Sequence, residues 1–233
     1  MSPGTAGPAR PRAVRLRVWP GPRSTLPAGG YTFAERPEVE APDARIIWHA
    51  DVDPGTLRVI AVPIGSDDPD AVDPRQLAPW LTIVADQAGE HAVLSDGWHH
   101  IRIDVAQGSL AAGLPVMLHY QLAGIASARP KILPLRRVIY LCRTGRFALS
   151  LFPPDRRVER WLLALRVHDA VQAGASQSEI ARVLFGDDPS ADASARRSDS
   201  LRSRVRRLVG DARRLAGGGY RLLMRRRDGP DDA

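Results

Sequence analysis

The sequence is poor in cysteine, in lysine and in long apolar segments. Of its 233 residues only Cys142 carries a thiol and only Lys131 a side-chain amine, and no apolar run approaches the roughly 20 residues that a membrane-spanning helix needs. A single cysteine excludes an internal disulfide framework and a multi-cysteine zinc cluster. The first residues lack the apolar stretch of a secretory signal, so we expect a cytoplasmic protein with no membrane partner.

What is present is typical of a globular protein that carries a formal net charge of +7. Residues 1–30 hold five Arg and no acid, 31–128 hold 14 acids against five Arg, and 129–233 hold 23 basic residues against 12 acids. Within the last part, residues 196–227 contain 12 Arg and two Asp. This clustering points to nucleic acid or another anionic surface. The alternative is a solvated helix face, or one that is paired with the acidic middle of the chain.

Composition and periodicity predict an α+β fold, with a small, mainly antiparallel β domain followed by a C-terminal helical domain of helix-turn-helix type. The predicted segments are a disordered Arg/Pro/Gly-rich arm (1–30), a β-rich domain (31–128), a connecting helix and linker (129–154), a helix-turn-helix-like DNA-binding domain (155–227) and a disordered tail (228–233).

Short runs with strand character fill the β-rich domain, separated by turn-forming residues. The runs are residues 45–49, 56–62, 81–85, 91–94, 98–105 and 116–122. Asp96 and Gly97 lie between two of them and predict a hairpin. In the run after that turn, polar and apolar residues alternate, which predicts one apolar face. After Pro130 the period becomes helical, and Gly145 is expected to end that helix.

The segment 155–227 predicts three helices. The first runs from Asp155, a predicted N-cap, to Gln172, and Gly174 suits its end. Its predicted core residues are Val158, Trp161, Leu162, Leu165 and Val171.

A capping box follows, in which Ser176 caps the second helix, Gln177–Phe185, and Glu179 answers three residues later. Its predicted inward residues are Ile180, Val183 and Leu184. After the 11-residue loop 187–197, the third helix is expected to begin at Ser198 or Asp199 and to reach Leu215. Its predicted buried stripe is Leu201, Val205, Leu208, Ala212 and Leu215, and Gly217, Gly218 and Gly219 break the helix after it.

A helix, a short capped helix and an Arg-rich helix follow one another in the order expected of a helix-turn-helix domain. Arg near the start of the third helix can pair with guanine in the major groove, and helix N-termini suit phosphates. The predicted DNA-binding residues are Ser176, Gln177, Ser178, Arg196, Arg197, Ser198, Ser200, Arg202, Ser203, Arg204, Arg206 and Arg207. The loop is longer than the standard turn, so extra backbone contacts and a sigma-like variant both remain open.

Several short stretches resemble the RovC-like DNA-binding domain family of bacterial transcription factors. They are residues 163–169 (LALRVHD), 173–176 (AGAS), 179–181 (EIA), 184–186 (LFG), 201–202 (LR), 205–208 (VRRL), 218–220 (GGY) and 222–223 (LL). The resemblance covers roughly residues 130–227. It implies a DNA-binding transcriptional regulator, since the family includes a type VI secretion regulator and relatives that control integrative elements. Another relative is an antiactivator that binds protein regulators, so an antiactivator is the alternative function.

No pattern in the sequence favours catalysis. The six histidines are scattered, and the neighbours His99 and His100 point to opposite faces of a strand. The glycine run after the third helix lacks the Lys and hydroxyl residue of a phosphate loop, and no nucleophile elbow surrounds a Ser. We therefore expect no enzyme activity, no metal and no cofactor. The expected partners are double-stranded DNA, further copies of the chain and, in the alternative, another transcription regulator. A third hypothesis for the function is a non-specific nucleic-acid binder.

Overall fold

The structure is a computed structural model that describes residues 15–18, 40, 43–185 and 194–225, with side chains described for 40, 43–185 and 201–223. The chain divides into two compact units, residues 1–153 with 224–233, and residues 154–223. Among the described residues, no helix is both long and apolar enough to cross a membrane.

The first unit contains one sheet, in which six described strands follow the order β1-β3-β4-β5-β2-β6. The strands are β1 (Arg15–Val18), β2 (Leu57–Pro63), β3 (Leu81–Asp86), β4 (Gly89–Ser95), β5 (His100–Gln107) and β6 (Val116–Tyr120), with the short helix α1 (Pro74–Leu77) between β2 and β3. Three neighbouring pairs are antiparallel, whereas β1–β3 and β2–β5 are parallel. The prediction of a mainly antiparallel β domain followed by C-terminal helices is confirmed.

Two sequence predictions for the first unit need correction. Within the predicted arm 1–30, Arg15–Val18 pairs with β3, so the prediction of disorder is wrong for these four residues. The predicted strand 45–49 contains only an isolated bridge residue, Trp48. That segment instead covers one face of the sheet, where Ile47 is fully buried against Val84 and Val93. The rest of the arm and the predicted tail 228–233 lie outside the described residues.

The hairpin between β4 and β5 follows the sequence prediction. The carboxylate of Asp96 accepts hydrogen bonds from the backbone amides of Trp98 (3.0 Å) and His99 (2.7 Å). Gly97 has a φ of 104°, a conformation that a residue with a Cβ rarely adopts. The turn therefore depends on residues that are adjacent in the sequence.

The polar face of the sheet is buried as well as the apolar one. Arg102 lies on this face and is almost fully enclosed. Its guanidinium donates to the carbonyls of Ala92 (2.7 Å), Ile103 (2.7 Å) and Trp48 (2.8 Å), and to the carboxylate of Asp104 (2.5 Å). Burial alone would raise the pKa of Asp104. The hydrogen bond from His91 and the charge and hydrogen bond of Arg102 outweigh that effect and hold this pKa below its ordinary value.

The opposite face of the sheet carries the main core, and helix α2 (Ile125–Thr144) packs on it through Val138 and Leu141. This helix begins before the predicted start at Pro130. Gly145 ends it with a left-handed φ of 65°, as predicted. Cys142 lies partly buried against the same core, and burial raises the pKa of its thiol to about 11.

The second unit is helical. It contains α3 (Val158–Gln172), α4 (Gln177–Phe185), α5 (Ser194–Arg214) and the kinked turn Leu215–Gly219, and α6 (Arg221–Arg225) begins within it. At the kink, Gly218 has a non-helical φ of 105°. α3 starts three residues after the predicted N-cap, Asp155, whose carboxylate accepts a hydrogen bond from the amide of Arg157 in the preceding turn. α5 begins at Ser194, four residues before the first predicted cap, and part of the predicted loop therefore belongs to the helix. Residues 186–193 lie outside the described part of the chain.

The core of this unit corrects two predicted helix faces. The buried residues are Ala164, Val167, Ile180, Val205, Leu208, Val209 and Ala212. The stripe predicted for the third helix is confirmed by Val205, Leu208 and Ala212. In α3, however, the predicted core residues Val158, Leu162 and Leu165 are exposed. The buried residues of this helix are Ala164 and Val167, which lie on its packed side. Val183 of α4 is 79% exposed and is not the inward residue that the periodicity predicts.

Candidate nucleic-acid interface

The start of α4 is held by the predicted capping box. The Ser176 hydroxyl accepts a hydrogen bond from the amide of Glu179 (3.2 Å), and the Glu179 carboxylate accepts one from the amide of Ser176 (2.7 Å). Hydrogen bonds from the backbone and side chain of Ser176 hold the pKa of Glu179 below its ordinary value. An ionised carboxylate therefore already occupies this helix N-terminus.

The tight connection of the unit joins α3 to α4. Gly174 adopts a φ of 84° just after α3, and α4 follows within a few residues. The link between α4 and α5 crosses residues 186–193, which lie outside the described residues. The helix-turn-helix assignment therefore stays a prediction.

The outward side of α5 is basic. Opposite the buried Val205, Leu208 and Ala212, the helix presents an exposed set that we call the basic face. The basic face consists of Arg202, Arg206, Arg207, Arg213 and Arg214, with the small residues Ser203 and Gly210 between them. Because side chains three, four or seven residues apart share one side of a helix, the sequence concentrates these guanidinium groups on one surface.

Arg204 is placed differently from the other arginines of α5. Its guanidinium carbon lies 4.5 Å from the centre of the Phe185 ring, at the end of α4. A cation over an aromatic face at this distance is attracted by the ring. Arg204 therefore contacts α4, and the sequence could not show this because Phe185 is 19 positions away.

An acid on α5 is turned towards α3 and away from the centre of the basic face. Asp211 accepts a hydrogen bond from Arg160 (2.5 Å) and lies 3.5 Å from Arg214. The hydrogen bond from Arg160 is the main reason why the pKa of Asp211 lies below its ordinary value. Arg160 thereby balances the charge of Asp211 and joins α3 to α5.

The predicted site residues fall into three groups. Ser176 serves as the helix cap, while Gln177 and Ser178 are exposed in the first turn of α4. On α5, the predicted residues with described side chains are all exposed, and they are Arg202, Ser203, Arg204, Arg206 and Arg207. Arg196, Arg197, Ser198 and Ser200 belong to α5, but their side chains lie outside the described set. The prediction omitted Arg213 and Arg214, which their spacing of seven from Arg206 and Arg207 would have revealed.

Comparison with known proteins finds a family that is similar to the C-terminal part of the chain. Residues 132–225 match the family model described as the T6SS transcription factor DNA-binding domain of RovC type. This part of the chain is similar to the RovC-type DNA-binding domain. The resemblance found in the sequence is thus confirmed, and the family description supports a DNA-binding regulator. No curated protein and no solved structure is significantly similar to the chain.

The limits of the region that matches the RovC-type family differ from those of the helical unit. The match begins at Ile132, inside the helix α2 that packs on the sheet, and continues through α3, α4 and α5 into α6. The matched residues therefore come from both compact units. Within the described residues, no group of three His, Cys, Asp or Glu side chains could hold a metal ion.

Proposed function

We propose that this chain is a transcriptional regulator that reads DNA with the basic face of α5, and that it acts by binding rather than by catalysis. The observation that supports this is the set of five exposed Arg side chains on the outward side of one helix within the region that matches the RovC-type family. With 21 residues, α5 is about 30 Å long, and a helix of this kind fits the major groove of B-DNA.

The arginines divide by their position along the helix. Recognition helices contact base edges with residues of their N-terminal part. Arg202 is the arginine nearest the start of α5 among the described side chains, and Arg206 lies about one turn after it, so these two are the base-reading candidates. Arg213 and Arg214 lie near the C-terminal end, where contacts to phosphates are expected. Since Glu179 already occupies the N-terminus of α4, phosphate contacts from that helix would come from the side chains of Gln177 and Ser178.

The proposed regulator works as a homo-oligomer. A single helix makes few base contacts, whereas specific regulators usually combine two or more half-sites through repeated copies of one domain. Summed contacts from several copies raise both affinity and the ratio of specific to non-specific binding.

A second function is favoured by apolar side chains that the helical unit exposes. Leu162 and Leu165 of α3 and Val183 of α4 face away from the core, and exposed apolar residues are typical of protein-binding surfaces. In this alternative the unit binds another transcription regulator and blocks it, without binding DNA.

DNA-binding measurements on the full chain test the proposal. A duplex selected from a random library is compared with a scrambled duplex by fluorescence anisotropy, at salt from about 50 to 300 mM. We expect Arg206→Ala to weaken binding of the selected duplex by about 1–3 kcal/mol and to relax its specificity. Arg213→Ala should weaken binding of both duplexes alike and lower the salt slope by about one. The matched control is Arg166→Ala, which removes an exposed Arg from α3.

Three outcomes would contradict the proposal. Equal affinity for both duplexes at every salt concentration would indicate a non-specific nucleic-acid binder. A chain that binds a purified activator but neither duplex would support the antiactivator function. If Arg166→Ala weakens binding as much as Arg206→Ala does, the basic face of α5 is not the contact surface.

A further inference from the structure

Helix α2 of the first unit carries two ordered rows of side chains on its outward side. Isoleucine recurs every seven residues, at positions 125, 132 and 139, and arginine follows four residues after each, at positions 129, 136 and 143. All six are exposed, with the isoleucines 94%, 49% and 46% accessible. Because seven residues are nearly two helical turns, both rows run along one side. We call this surface the Ile–Arg face.

The Ile–Arg face is separate from the surface that holds α2 in place. Val138 and Leu141 are buried on the opposite side of the helix, against the sheet. The protein core therefore does not require isoleucine on the outward side. Leaving several large apolar residues in one row in water is unfavourable, and such rows commonly mark a surface that binds a partner.

An open groove lies beside this face. Its volume is about 670 Å³, and it runs between α2 and the 3-10 turn Leu149–Leu151. Arg136, Ile139, Tyr140 and Arg143 line one side of it. The groove thus offers apolar contact surface with positive charge along its rim.

The charge of α2 selects the kind of partner. The helix has five basic residues and no acid, and the sequence has no acid anywhere from 105 to 154. A second copy of α2 would set one arginine row against another, which is unfavourable. A helix with apolar residues along one side and Glu or Asp beside them would bury the isoleucines and pair with the arginines.

We propose that the Ile–Arg face binds an acidic amphipathic helix of another protein. The isoleucine row argues against DNA as the occupant, because surfaces that bind DNA are polar and strongly basic. Covering the isoleucine side chains with hydrated phosphate groups would be unfavourable. The RovC-type match begins at Ile132, so duplex DNA is nevertheless included in the test as a competing occupant. This proposal does not depend on the DNA-reading role of α5.

The test uses the full chain and a synthetic helical peptide of 20 residues, the length of α2. The peptide carries Leu at helical spacing and Glu beside it, and a matched peptide has Lys in place of every Glu. Binding is measured by fluorescence anisotropy near 0.1 M salt, where charge pairing is only partly screened. We expect the Glu peptide to bind and the Lys peptide not to bind.

Variants locate the binding surface. Arg136→Glu and Ile139→Ser should each weaken binding of the Glu peptide by about fivefold or more, since one reverses a rim charge and the other removes apolar contact area. The controls make the same changes on exposed positions of β2, namely Arg58→Glu and Val62→Ser, and should stay within about twofold of the parent chain. Thermal unfolding checks that each variant remains folded.

Several results would overturn the proposal. They are failure of the Glu peptide to bind, equal binding of both peptides, or an effect of the β2 controls as large as that of the α2 variants. Dissociation of an oligomer by Ile139→Ser in sedimentation experiments would make a second copy of the chain the occupant. Loss of duplex binding in Arg136→Glu, with peptide binding unchanged, would make α2 a nucleic-acid surface.

Discussion

Replacing the buried Arg102 by Met should destabilise the first unit strongly. The side chain is 1% exposed, and Met occupies a similar volume without its charge or donors. The substitution removes four hydrogen bonds, three to carbonyls and one to the carboxylate of Asp104. The carbonyl of Trp48 loses one of the contacts that hold its segment on the sheet, and the packing of Ile47 on Val84 and Val93 remains.

The expected size follows from the partners that remain. Removing one member of a buried charge pair usually costs about 3–5 kcal/mol. Asp104 keeps its hydrogen bond with His91 at 2.8 Å, so its carboxylate is not left alone. We therefore expect a loss near the lower limit, about 3 kcal/mol in the free energy of unfolding, and a fall of roughly 6–12 °C in the melting temperature.

The assay must report on the first unit alone. Of the five tryptophans, only Trp161 belongs to the second unit, so a Trp161→Phe background assigns the fluorescence signal to the first. Urea unfolding in this background is compared for Arg102→Met and Arg58→Met. Arg58 is exposed on β2, and its replacement should change stability by no more than about 0.5 kcal/mol. A loss below about 1 kcal/mol for Arg102→Met would refute the reasoning.

Two further predictions concern the backbone. Ser176→Ala should destabilise the helical unit by about 1 kcal/mol through loss of the α4 cap, measured by urea unfolding; Ser178→Ala in the first turn is the control, and an equal effect of both would contradict the capping role. Gly108→Ala should prevent the first unit from folding stably, because Gly108 has a φ of 80° and a Cβ there would lie 1.8 Å from the carbonyl oxygen of Ala61. In the control Gly65→Ala, the new Cβ meets nothing within 4 Å, so the melting temperature of this variant should stay close to that of the parent chain. If the Gly108→Ala variant has the same melting temperature as the Gly65→Ala variant, the predicted clash with Ala61 is wrong.

Features that depend on neighbouring residues were predictable. The cap at Ser176 and Glu179, the hairpin at Asp96 and the helix end at Gly145 each involve groups within four positions of one another. The stripe of α5 was also predictable, since a strong 3.6-residue period separates its apolar residues from its arginines. Such signals are local, and a short stretch of chain contains all the information that they require.

Features that depend on distant partners were not predictable. The bond between Arg102 and Trp48 joins residues 54 positions apart, and no local pattern distinguishes a buried arginine from an exposed one on a polar strand face. In α3, apolar residues lie on both sides, so periodicity alone could not select the packed side. The parallel pairing of β2 with β5 likewise joins strands that are distant in the sequence. It depends on which edge of β5 stays available once its other edge pairs with β4.

The candidate interface shows the same division. The sequence by itself determined that an Arg-rich helix follows a capped helix, because composition, capping and helical period are properties of short segments. Only the tertiary structure decided which group each arginine contacts and which arginines face outward. Arg204 lies over Phe185, Arg160 is paired with Asp211, and Arg206 and Arg213 remain on the outward side. The reason is physical: the local sequence sets the direction of a side chain, but the groups that surround it come from other parts of the chain.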